Sequence, residues 1–111
     1  MTYDERLAER VRDLVAEHGV TEEKKMFGGL GFLLGGNLAV CASHDGGLLV
    51  RTDGRDTDEL LAQEHVEPMV MGGRTSRTWL RVDPGALRTD DQLGYWVDRG
   101  ATTARGLPAK D

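Results

Sequence analysis

Few residues in this chain of 111 have types and spacings that could carry chemistry. Ser43-His44-Asp45 contains the letters of a nucleophile, a base and an orienting acid. Three consecutive residues cannot converge on one substrate atom as a hydrolytic triad must, so the segment reads as a turn. Cys41 and His44 have a spacing that some metal sites use. Zinc takes three or four ligands, however, and His18 and His65 fall in other elements. Cys41 lies inside an apolar run, where a free thiol packs as a small hydrophobe. Arg77, Trp79 and Arg81 alternate along a strand pattern and would share one face. Such a row offers stacking, cation–π and ion-pair contacts. Arg51 ends one strand and Arg74 lies in another hairpin, a pair that could hold an anion where glycines let a ligand approach the backbone.

Nucleotide chemistry has no support. Gly29-Leu30-Gly31 lacks the third glycine and the following helix of a dinucleotide fingerprint, and no Gly-Lys-Ser/Thr phosphate loop occurs. No two carboxylates share an apolar setting that would split their pKa values for acid–base work. The sequence therefore assigns no catalytic residue, cofactor or metal, and the chain reads as not an enzyme.

These residues need elements to position them. Thr2 to Glu5 is a capping box, with Thr2 or Asp4 as the cap. Leu7, Val11, Leu14 and Val15 follow at helical spacing, which predicts a helix over 4–18 closed by Gly19. An apolar run over 24–34 predicts a first strand, with Gly28-Gly29 as a bend or a place of close backbone approach. Gly35-Gly36-Asn37 turns the chain into a second strand over 38–42, and the 43–47 turn leads to a third over 48–51. Asp56 caps a short helix anchored by Leu60 and Leu61. Residues 69–71 and 77–82 form a second hairpin around Gly72-Gly73. Thr89-Asp90-Asp91-Gln92 is another capping box, opening a helix that runs to about 105. The order helix, three strands, helix, two strands, helix predicts one α+β domain over 1–111 with a five-stranded antiparallel sheet. Apolar residues on both strand faces (Leu30, Phe32 and Leu34 against Leu33; Val40 beside Cys41; Leu49 beside Val50) predict an open apolar face after the helices are seated.

Composition narrows the partners. Hydrophobic residues make up 39% and charged residues 30%, ordinary for a soluble domain. The net charge of −5 argues against direct nucleic-acid binding, and only the arginines of 69–82 form a basic cluster. One cysteine excludes an internal disulfide, and a polar, acidic start with no long apolar run predicts a cytoplasmic chain without a membrane segment.

The combination of Lys24-Lys25-Met26-Phe27-Gly28-Gly29, Phe32, Gly35-Gly36-Asn37, Leu49-Val50-Arg51, Met71-Gly72-Gly73-Arg74 with Trp79, and Leu93-Gly94-Tyr95-Trp96-Val97 resembles the N-terminal domain of the TfoX/Sxy family. The resemblance covers nearly the whole chain. It implies an α-β-β-β-α-β-β-α fold similar to secretion-chaperone-like domains. The named members regulate natural competence together with the cyclic-AMP receptor protein and carry a second, C-terminal domain, which is expected to be absent from a chain ending at Asp111. The family brings no catalytic residues to carry over.

Three functions follow as expectations. The first is a small cytoplasmic regulatory or protein-interaction module, with a protein partner contacted through Arg77, Trp79 and Arg81 and the surface of Met26, Phe27, Gly28 and Gly29. The second is a small-molecule binder or unrecognised enzyme with an anion site near Arg51 and Arg74. The third, direct DNA binding, is the weakest on charge. A homodimer would be the simplest cover for an open sheet face.

Overall fold

A computed structural model describes residues 4–19, 21–26 and 28–108. The first helix, α1 (Glu5–Val15), starts where Asp4 accepts a hydrogen bond from the Leu7 N–H at 3.0 Å, and a 3-10 turn over Ala16–His18 extends it. Its buried stripe is Leu7, Ala8, Val11 and Val15. Strands β1 (Thr21–Met26), β2 (Gly29–Leu34), β3 (Asn37–Ala42) and β4 (Leu48–Arg51) follow as consecutive hairpins. A short helix, α2 (Thr57–Leu61), precedes the hairpin of β5 (Val66–Met71) and β6 (Arg74–Val82), and α3 (Asp90–Arg105) ends the fold. The capping box of α3 is complete: Thr89 accepts from the Gln92 N–H at 3.1 Å, and Gln92 accepts from the Thr89 N–H at 3.1 Å. Asp56 stands at the cap of α2 but makes no side-chain cap bond; Arg99 engages it instead.

Among the described residues the fold is α+β with one antiparallel sheet, and the sheet has six strands in the order β1-β2-β3-β4-β6-β5 rather than five. The extra strand arises at the glycines. The expected continuous strand over 24–34 is a hairpin, with Met26 opposite Gly29 and Thr21 opposite Leu34. Gly28 turns the chain with φ +71, a left-handed conformation that costs a non-glycine residue energy. Gly29 and Gly31 serve close approach. A Cβ on Gly29 would stand 2.1 Å from the Ala42 carbonyl oxygen, and one on Gly31 would meet Leu38 Cδ1 at 2.7 Å and Met26 Sδ at 3.0 Å.

All three helices contribute to one core cluster on one sheet face, with Phe32, Val40, Val50, Leu80 and Val82 fully buried beneath them. By register, Leu33, Leu38, Cys41 and Leu49 lie on the opposite face. They are at most 9% exposed, so the open apolar patch expected there is not found among the described residues. The large apolar side chains that do stand exposed are Val70, Tyr95 and Leu107.

Gly29→Ala forces a carbon into the Ala42 backbone and is expected to cost about 3 kcal/mol. Gly28→Ala meets only backbone strain and is expected to cost about 1 kcal/mol. Urea unfolding of both variants checks the ranking; a larger loss for Gly28→Ala would contradict these two roles.

Candidate functional site

Arg51 is the last residue of β4 and pairs directly with Trp79 of β6. Opposed residues of an antiparallel pair share a face, and the Arg51 guanidinium carbon lies 5.0 Å from the Trp79 ring centroid. The strands are held together just beyond the pair. The Thr52 N–H donates to the Thr78 carbonyl at 2.8 Å, and the Thr57 hydroxyl donates to the Arg77 carbonyl at 2.6 Å. On its other side β6 leaves β5: Val70 pairs with Thr75 but Pro68 with Leu80, so residues 76–79 bulge opposite Met69. Ser76 supports the bulge by accepting from the N–H groups of Thr78 and Trp79 at 3.2 and 3.1 Å.

Arg51 and Trp79 line a groove of about 590 Å³, closed on its far side by Thr102, Thr103, Gly106 and Leu107 at the end of α3. A second groove of about 380 Å³ shares Thr52, Asp53, Thr102 and Thr103 with the first and continues along α3 to Tyr95, Asp98 and Arg99. Here a second arginine is stacked, Arg99 at 4.9 Å from the Tyr95 ring. Only two buried side-chain polar atoms without a hydrogen-bond partner occur among the described residues, Arg51 Nε and Arg99 Nε. Both belong to arginines lining this channel.

The other arginines of the channel meet acids. Arg55 pairs with Asp53 at 3.3 Å and Arg99 with Asp56 at 3.1 Å, while Asp98 is hydrogen-bonded to His18 Nε2 at 2.7 Å. Arg51 has no acidic partner among the described residues. Burial pulls its pKa below the ordinary arginine value, and a guanidinium so placed still carries its charge at neutral pH.

The other expected residues are dispersed. Met26 sits half-buried on the outer face beside Gly31, Gly28 lies in the β1–β2 turn, Gly29 opens β2, and Phe27 lies outside the described residues. Arg74 is exposed at the tip of the β5–β6 hairpin and lines neither groove. Trp79 and Arg81 share a face as the alternation implies, but Arg77 belongs to the bulge and reaches Asp58 of α2 at 3.7 Å. Arg81 is held by Asp45 and by Asp83, the latter at 2.5 Å. Ser43-His44-Asp45 is a turn whose acid is spent on Arg81, and burial pushes the Cys41 thiol up to about 11, which keeps it protonated and inert at neutral pH. Among the described residues no three His, Cys, Asp or Glu side chains are grouped to hold a metal. The sequence reading missed Tyr95, Arg99 and Leu107. The Tyr95–Arg99 stack could have been read from its i, i+4 spacing on a helix.

A family model for the TfoX N-terminal domain matches residues 13–104. The chain belongs to the TfoX N-terminal domain family. No curated protein matches it. In this TfoX N-terminal domain the matched span includes every strand and most of α3, and so all of the channel except Gly106 and Leu107. No helix among its described residues is long and apolar enough to cross a membrane.

The Arg81 clamp has a pH signature. Burial alone would raise Asp45, but the Gly47 N–H, Arg81 and Ser43 outweigh it and hold the carboxyl below 3.8. A depressed carboxyl stabilises the fold above its unfolded pKa, and the contribution is lost as pH falls through the folded value. Arg81→Gln is expected to cost about 1 kcal/mol at pH 7, the groups being partly exposed. Urea melts should show that gap closing below pH 3.8; a gap unchanged down to pH 2 would contradict the ion pair as its source.

Proposed function

We propose that this TfoX N-terminal domain is a small non-catalytic regulatory module of the cytoplasm that works by holding a protein partner, and that the Arg51–Trp79 channel is its contact surface. The observation that carries this reading is Arg51 itself: a partly buried guanidinium, stacked on a half-buried tryptophan, with no acidic partner among the described residues, lining a groove. Arginine and tryptophan in a partly desolvated pocket are the residue types that dominate binding energy at protein interfaces. Exposed Tyr95 and Leu107 stand at opposite ends of the channel and extend the apolar contact. Direct DNA binding finds little support in a chain of net charge −5 whose Arg77 and Arg81 are already paired.

The unpartnered Nε also favours a second reading, a small-molecule binder with an anion site at Arg51. Arg74, the other half of the expected anion site, does not line the groove.

Affinity capture from the source cells separates these readings. The wild-type domain and Arg74→Ala are expected to recover the same protein, and Arg51→Ala and Trp79→Ala to weaken its capture at least about tenfold. A partner held equally by all four proteins, or no partner at all, would overturn the interaction reading.

A further inference from the structure

We propose that the free edge of β1 pairs antiparallel with β1 of a second copy of this chain, in the register that sets Glu23 opposite Glu23 and Glu22 opposite the partner's Lys24. This goes beyond the interaction reading and does not rest on it. The Arg51–Trp79 channel belongs to β4 and β6, and β2 and β3 separate β1 from it along the sheet.

An open sheet ends on two edge strands, each with a row of unpaired backbone N–H and C=O groups. Among the described residues these are β1 and β5. The β5 edge is blunted. Pro68 has no N–H to give, and the register with β6 breaks between Pro68 and Val70. Strand β1 has neither device. It contains no proline, and its register with β2 runs unbroken from Thr21 opposite Leu34 to Met26 opposite Gly29. Glu22, Glu23, Lys24 and Lys25 are all exposed on it.

Charges on an edge turn most strands away, but this order of charges suits its own reverse. Glu-Glu-Lys-Lys read backwards is Lys-Lys-Glu-Glu. Opposed residues share a face, so a two-fold antiparallel pair must set one residue opposite itself. Two registers keep most of β1 paired, one centred on Lys24 and one on Glu23. The first brings two lysines together, and Lys24 has no ion pair among the described residues. The second brings together two carboxylates that each carry a counter-ion already, since Arg12 donates to Glu23 at 2.5 and 2.8 Å. That register also sets each Glu22 opposite the partner's Lys24 on the outer face. On the helix-bearing face it lays Lys25 diagonally from the partner's Glu23. Opposite charges facing each other across a ladder stabilise it, and like charges destabilise it. An edge this short buries less than a standard interface, so the pair is weak and salt-sensitive.

Sedimentation equilibrium of the whole chain tests this, with protein from about 10 μM to about 1 mM. In low salt a monomer–dimer equilibrium is expected, weakening at about 0.5 M salt. Glu22→Lys and Lys24→Glu each turn both Glu22–Lys24 pairs into like charges, and each variant alone should dimerise at least about tenfold more weakly than wild type. Mixed in equal amounts, the two variants restore opposite charges at both pairs and should associate as wild type does. Both positions are exposed, and far-UV circular dichroism checks that each variant is folded. Arg51→Ala should dimerise as wild type. A monomer at every concentration in low salt, a dimer indifferent to both charge reversals, a mixture no tighter than its components, or a dimer lost in Arg51→Ala would overturn the inference. Partner capture through Trp79 by a strictly monomeric chain removes this inference alone. The expected dimer in a chain that captures no partner removes the interaction reading alone.

Discussion

Helix α3 lies on β3 with no room for one more carbon. A Cβ at Gly100 would stand 2.5 Å from the Ala39 carbonyl oxygen and 2.6 Å from Val40 Cγ1. The strand meets the helix at its own irregularity: the register steps from Phe32 opposite Val40 to Leu33 opposite Leu38, so Ala39 is the inserted residue of a bulge. A bulge kinks the strand, and here it presents backbone to the one helix position that has no side chain. The buried face of α3 narrows in the same direction, from Leu93, Trp96 and Val97 to Gly100, Ala101 and Ala104. Its C-terminal half therefore approaches the sheet more closely than its start. The chain after α3 is then tied down, since Asn37 donates to the Pro108 carbonyl at 2.9 Å. The channel owes its far wall to this seat, because Thr102, Thr103, Gly106 and Leu107 all follow Gly100.

The near wall depends on a different balance. Arg51 and Arg81 project from the same face of the sheet, opposite Trp79 and Leu49. Arg81 meets two acids, one from the β3–β4 turn and one just beyond its own strand, and its charge is consumed in holding that turn. Arg51 meets none among the described residues, and its partner across the ladder is a ring. Cation–π contact recovers part of the hydration that burial removes, yet it leaves the in-plane donors unsatisfied. An unmade bond to a buried polar group costs about 1–3 kcal/mol. The fold carries that cost at the buried Arg51 Nε.

Local signals were readable and cross-chain ones were not. Asp4 capping α1 and the Thr89–Gln92 box of α3 involve side chain and backbone within one turn, so the sequence alone placed both helices. The β1–β2 hairpin was hidden because no Asn-Gly or Asp-Gly pair marks its turn, where Gly28 takes the left-handed conformation. Apolar residues on both sides then read as one strand with a bend. Arg51 and Trp79 were each singled out, but for different functions. Their meeting requires β4 to pair with β6 across the excursion of α2 and β5, a non-consecutive pairing that no local pattern encodes. Arg77 was misplaced for a related reason: period-two alternation fails across the 76–79 bulge, where Ser76 captures two backbone N–H groups.

If the seat of α3 on β3 governs both the core and the channel, its most direct test is the unfolding free energy of Gly100→Ala. On an open helix face that substitution stabilises by about 1 kcal/mol. Against the Ala39 carbonyl it is predicted to destabilise by about 3 kcal/mol, because backbone rather than a mobile side chain must yield. A Gly100→Ala domain as stable as wild type, or more stable, would contradict the close seat and the channel geometry built upon it.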